Sequence, residues 1–308
     1  MLKDNSTNLP KGFVRLGGSE TEIASKLGPL AGLAGTWRGN LGWNMIAVPS
    51  NTGTVKGFKL LIQNYSETIT FTPISAPVPN RGGEQMQSIT GLMYDLTITD
   101  NATEGILHLE NGMWLYMADV QKQPDKGQDP FKAAAAAPDH FYTIVRQASI
   151  PHGDVVVALG DAATSNGMPA IPPVQGHPID FGTPPNLGYL DQYTHTGFPL
   201  NQFNTQDPNA SLRNAIAGQN IGNVTVISVD TQVTGGAIVN IPFVQQTVDP
   251  TRFVSTYWIE DVTLADGTQF KQLQYSQQAD LNFIPKFPPQ KSGTIMWPHI
   301  NVNTLRKQ

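Results

Sequence analysis

The chain has 308 residues, a net charge of −5, 14% charged residues and no cysteine. That length permits one large or two ordinary domains, while the low charge with 29 glycines and 24 prolines argues against both a helical bundle and a charge-rich disordered chain. Lack of cysteine excludes disulfides, thiolate metal sites and cysteine nucleophiles, and the absence of any Lys/Arg run longer than two residues speaks against nucleic acid or an anionic membrane surface as partner.

Residues 1–20 are polar and glycine-bearing and read as a lead-in to one domain over 21–308. No apolar h-region and no stretch of about 20 apolar residues is seen, so the expectation is a cytoplasmic protein without a membrane span. Thr21 to Leu33 predicts a helix or helical turn limited by Gly28-Pro29. Leu33-Ala-Gly-Thr-Trp-Arg-Gly-Asn-Leu-Gly-Trp43 follows, with four turn-compatible residues around two tryptophans. Such a Gly-x-Trp element fits the start of the first strand of a closed antiparallel barrel, with Trp37 plugging its floor, or equally a glycine-rich turn beside a core tryptophan.

From there strand signals dominate. Expected strands are 43–48, 56–63 and 65–74, then a hairpin of 87–99 and 106–117. In its second arm His108 and Glu110 share one face and Leu107 and Leu109 the other, and Asn111-Gly112 suggests a turn or bulge. Ala133–Ala137 favours a short helical piece before Pro138. Strands at 141–148 and 154–159 flank Pro151-His-Gly153. An irregular excursion at about 160–220, helical only at 211–217, then interrupts the pattern; it reads as a surface-packed insertion or as part of a lid. Further strands are expected at 224–229, 237–246, 253–263 and 270–283, and the last carries the cleanest two-residue alternation in the chain. Thr294 to Leu305 closes the sequence, with Pro298 as a candidate start of a short terminal helix. About eleven strands without an internal repeat predict an all-β fold. The expected architecture is a single antiparallel up-and-down β-barrel of about ten strands with a long irregular insertion; the alternative is a two-layer sandwich.

The six histidines are His108, His140, His152, His177, His195 and His299. His299 suits either a nitrogen ligand to a metal or a plug that merely hydrogen-bonds, and His108 either a proton-moving group or a partner of Glu110. His140 and His152 read as surface residues, and His177 and His195 matter only if the excursion covers a barrel mouth. No nucleophile elbow, zinc-protease helix, phosphate loop or EF-hand pattern is present.

Three segments together resemble nitrobindins, which are haem-binding barrels of the fatty-acid-binding and lipocalin-like, or calycin, type. The segments are Leu33-Ala-Gly-Thr-Trp-Arg-Gly-Asn40, Ile106-Leu-His-Leu-Glu-Asn-Gly-Met-Trp114 and Trp297-Pro-His-Ile-Asn-Val-Asn-Thr-Leu305, in the family's order. Nitrobindin domains are about half this length and lack the excursion. The resemblance implies haem b with His299 as the metal ligand, His108 as a catalytic residue on the distal side, and Trp37, Trp297 and Met296 beside the cofactor. It implies binding of a diatomic or reactive oxygen or nitrogen species, with peroxidase-like or peroxynitrite-isomerising turnover. The alternatives are a metal-free carrier of an apolar small molecule, with Arg38 or Arg146 anchoring a carboxylate, and a cofactor-free enzyme whose pocket includes the excursion.

Overall fold

The structure is a computed structural model that describes residues 25–50, 57–74, 78–79, 88–117, 142–179, 188–195, 202–286 and 293–308. The alanine run and His140 lie outside the described residues. Twelve strands are described: β1 Gly35–Pro49, β2 Phe58–Pro73, β3 Val78–Pro79, β4 Ser88–Asp100, β5 Ile106–Tyr116, β6 Ile144–Ile150, β7 Asp154–Asn166, β8 Asn220–Asp230, β9 Ala237–Asn240, β10 Asp249–Thr263, β11 Gln269–Pro285 and β12 Thr294–Lys307. Each long strand pairs antiparallel with its neighbours in sequence; β12 returns to β1, and β2 reaches β4, so ten strands close into an up-and-down barrel. The two short strands β3 and β9 add to β4 and β7. Closure pairs every long strand on both sides and removes the exposed edges of an open sheet.

Several strands differ from expectation for local reasons. The segments expected at 56–63 and 65–74 form one strand, because the inward positions Leu61, Gln63 and Tyr65 keep a period of two through Asn64. The strand expected over 237–246 stops at Asn240, since Pro242 opens the four-residue helix α3, Pro242–Gln245. Pro298 opens no helix. It lies inside β12 opposite Asp280, where the pairing with β1 has already ended at Met45–Ile300, so its missing N–H faces no partner strand. Gly112 makes neither turn nor bulge: its strand is continuous, but a Cβ there would lie 1.9 Å from the Gln147 carbonyl oxygen of β6.

Two apolar cores result. The inner one fills one end of the barrel. A 3-10 helix, Gly28–Leu33, caps it with Leu30 and Leu33, and the Trp37 indole donates to the Leu33 carbonyl at 2.7 Å. Burial of each such leucine stabilises the floor by roughly 1.5–3 kcal/mol. The outer core lies on the opposite face of β1, β8, β10, β11 and β12. There Met45, Trp258, Ile300 and Val302 join a cluster with Ile171, Tyr193, Phe203 and Leu212. The last four belong to the excursion, whose described parts include α1, Asp191–Thr194, and α2, Ala210–Ile216. These described parts of the excursion are therefore packed on the barrel's flank.

Candidate functional site

At the barrel end away from the 3-10 helix, the strands enclose a cavity of about 320 Å³. Its walls are mostly apolar: Ile46, Val48 and Leu61 from β1 and β2, Leu96 and Ile98 from β4, Val156 from β7, and Phe253 and Leu281 from β10 and β11. Besides Gln277 on β11, two polar groups interrupt them, on nearly opposite sides of the ring. One consists of His299 and Asn301 on β12, Asn44 on β1 and Gln63 on β2; the other of His108 and Glu110 on β5, His152 in the β6–β7 turn, and Asp154.

On the first side the His299 Nε2 lies 2.9 Å from the Asn44 Oδ1 and 3.1 Å from the Asn301 Nδ2. Burial, reinforced by the charges of His108 and His152, pushes the His299 pKa down to about 3, so its imidazole is neutral at ordinary pH.

On the second side a bulge shapes the strand. Ile98 faces His108 and Thr99 faces Ile106, which leaves Leu107 as the extra residue. Leu107 thereby lines the cavity together with His108, while Leu109 points out, so the two leucines do not share a face as expected. The expected pairing of His108 with Glu110 is present, His108 Nε2 to Glu110 Oε2 at 3.3 Å, and His108 Nδ1 also meets His152 Nε2 at 3.3 Å.

Glu110 is buried, and burial raises its pKa; the Arg146 guanidinium, His108 and the Tyr94 hydroxyl outweigh that and hold it at about 2. Because ionised Glu110 can only accept, a neutral His108 carries its proton on Nε2 and accepts at Nδ1 from His152 Nε2–H. Arg146 is fully buried. It donates from Nη2 to Glu110 at 2.7 Å, from Nε to the Tyr94 hydroxyl at 3.3 Å and from Nη1 to Ser255 at 3.1 Å and to Gln277. Phe253, Trp114, Tyr94 and Tyr257 surround its carbon at 5.0–5.7 Å.

Of the residues expected at a cofactor, His299 and His108 face one cavity; Trp37, Trp297 and Met296 do not. Trp37 seals the other end of the barrel. Trp297 lies in the outer core, stacked on Phe283 with centroids 5.1 Å apart and tilted against Phe58 at 4.4 Å; Met296 bridges to Ile179. Arg146 is consumed by Glu110, and Arg38 is exposed, so neither offers a carboxylate anchor in the cavity. His177 bonds Thr205 at 3.0 Å and His195 the Asp191 carbonyl at 2.8 Å, both within the excursion, which supplies no cavity-lining residue among those described. His152 is exposed as expected but also forms part of the mouth. Asn44 and Gln63 carry no motif; their place follows from the β1–β2 register, in which they are directly paired.

Among the described residues no group of three or more His, Asp or Glu side chains is arranged to hold a metal ion. A neutral imidazole on an apolar wall, as at His299, has the chemistry of one common haem-iron ligand. The cavity volume of about 320 Å³ lies near the lower end of the range of about 300–1,000 Å³ usual for small-molecule sites, so a porphyrin, which is larger than this, would project from the mouth.

These features define an antiparallel, calycin-like β-barrel with an internal ligand-type cavity. No family model matches the sequence, and no curated protein matches it. Among solved structures, one similar chain is Rv2717c from M. tuberculosis, at 14% identity and a TM-score of 0.40, with 93% of this chain and 97% of that chain covered. Among the described residues no helix is long and apolar enough to cross a membrane.

Proposed function

We propose that this chain binds a small molecule in the barrel cavity, and that the molecule is haem b with His299 on the iron. The observation that carries this reading is the neutral imidazole of His299, its pKa near 3, on the wall of a largely apolar cavity and at the position to which the nitrobindin resemblance assigns the ligand. Bound haem would supply iron chemistry toward diatomic or reactive oxygen and nitrogen species, including the peroxidase-like or peroxynitrite-isomerising turnover that the resemblance implies.

The chain's own contribution would be the His299 nitrogen to hold the iron, the apolar wall and a proton-handling group opposite. His108 has that last role: its Nε2 proton is held by Glu110, and His152 at the mouth can resupply Nδ1. Purified protein supplied with haem should show a Soret band that His299→Ala abolishes or shifts. Protein that stays colourless after reconstitution would sink the reading.

One observation favours a metal-free carrier of an apolar molecule instead: the His299 Nε2 is already engaged by Asn44. Neither Arg38 nor Arg146 would anchor a carboxylate on such a ligand. Native mass spectrometry showing a co-purified organic molecule that survives His299→Ala would support this second reading.

A further inference from the structure

We propose that Asp100, Gln63 and Asn44 form an oriented relay that fixes His299 as its Nε2–H tautomer, so that the lone pair left for any ligand is on Nδ1. The relay crosses the seam where the barrel closes, one residue from each of the adjacent strands β4, β2, β1 and β12. It starts at Asp100. The Asp100 Oδ1 accepts the backbone N–H of Ala102 at 2.8 Å and of Thr103 at 2.9 Å, and these bonds, that from Thr103 foremost, hold the carboxyl below its usual range. An ionised carboxylate only accepts. Its Oδ2, 3.0 Å from Gln63, must therefore meet the amide Nε2 of that residue, which turns the Gln63 carbonyl toward Asn44. The Gln63 Oε1 then takes the Asn44 Nδ2–H at 2.9 Å, which turns the Asn44 carbonyl toward His299. At 2.9 Å from that oxygen the ring nitrogen Nε2 must be the donor.

Each step leaves one orientation for the next amide, so the polarity set at Asp100 reaches the imidazole three residues away. The 3.1 Å contact from the Asn301 Nδ2 to the same nitrogen specifies the opposite tautomer, because a nitrogen that donates cannot also accept. Asn301 has no second tether among the described residues, whereas Asn44 is tied through Gln63 to a charge. The relay therefore prevails, and the Asn301 amide presents its oxygen to the ring.

The consequence for the ligand rests on His299 being the ligand-contacting residue proposed above; the tautomer itself does not. Asn44 and Gln63 act as positioning residues. The site meets its ligand with an acceptor, which selects a Lewis acid or a hydrogen-bond donor at Nδ1, and an iron seeking Nε2 must first break the Asn44 bond.

Nitrogen NMR of the full chain, labelled with ¹⁵N at histidine and free of ligand, reads the tautomer directly, with His299→Gln identifying the signals. At pH 7 the expected spectrum has a protonated Nε2 and an unprotonated Nδ1; the reverse overturns the proposal without any further variant. Asn44→Leu should give a mixture or a reversal, because Asn301 is then the remaining partner, and Asn44→Asp, which keeps an acceptor, should restore the Nε2–H form. If Asn44→Leu does not fold, Gln63→Leu removes the tether instead. An unchanged tautomer in the folded Leu variant also overturns the relay. Added haem separates the two ideas. Nε2–H protein that takes no haem refutes the haem reading alone, and protein that takes haem but carries its resting proton on Nδ1 refutes the relay alone.

Discussion

Glu110 and Glu67 are two carboxylates buried inside one barrel, yet they titrate in opposite directions. Burial raises both. At Glu110 the adjacent Arg146 charge outweighs it and brings the pKa to about 2; at Glu67 the hydroxyl of Tyr275 and the amide of Asn303 compensate less, and the pKa settles at about 7. The signs for stability follow. Between pH 4.5 and about 7 folded Glu67 keeps a proton that the unfolded chain has lost, so stability falls as pH rises through that window and levels off above it. The loss is about 3 kcal/mol for a shift of this size. Glu260, raised by burial to about 7 with Gln272 as its partner, adds a second loss of the same sign. Urea unfolding at pH 5 and pH 8 should show the drop, and Glu67→Gln should remove about half of it; an unaltered drop in that variant would refute the assignment. Glu110 works the other way, its contribution present above pH 4.5 and lost as the pH falls toward 2.

At the scale of elements, Arg146 on β6 ties together Tyr94 on β4, Glu110 on β5, Ser255 on β10 and Gln277 on β11. Breaking a buried ion pair by removing one partner costs about 3–5 kcal/mol, because the remaining charge is stranded. Arg146→Leu should lose stability of that order by urea unfolding, and the double change with Glu110→Gln should lose less than Arg146→Leu alone; equal or greater loss in the double variant would show that the pair is not what stabilises this region. The alternation of apolar and polar residues made most of these strands legible in the sequence, since a period of two directly reports a half-buried strand. It failed where polarity and exposure part company. Gln272 and Gln274 read as a wet face of β11, but both are buried: Gln274 donates to the Leu212 carbonyl at 2.9 Å, and Gln272 donates to Glu260 at 2.6 Å. Alternation records what a side chain is made of, and a segment distant in sequence decides whether it is covered. The candidate site was legible through His299, through His108 with Glu110, and through Arg146, although Arg146 was expected as a ligand anchor and instead holds Glu110. Asn44 and Gln63 belong to residue types without a motif, and they converge because of strand register and closure, which no local pattern encodes.

On the scale of the whole molecule, β12 joins two cores that serve different ends. His299 faces the cavity, while Trp297, two residues earlier, is wholly buried in the outer core among Phe58, Tyr189 and Phe283. The resemblance implies an indole beside the cofactor; the packing makes Trp297 a clamp between Tyr189 of the excursion, Phe58 on β2 and Phe283 on β11. The two roles have separable consequences. Removing a large aromatic side chain from a packed core costs about 3–5 kcal/mol, through lost transfer energy and the cavity left behind. Trp297→Ala should therefore lower the urea midpoint strongly at any pH. In the fraction that stays folded, ligand affinity at the cavity and the position of any Soret band should be unchanged, since the indole does not line that cavity. A shifted band with stability preserved would return Trp297 to the cofactor and would contradict the division of the fold into a ligand-facing interior and a flank closed by the excursion.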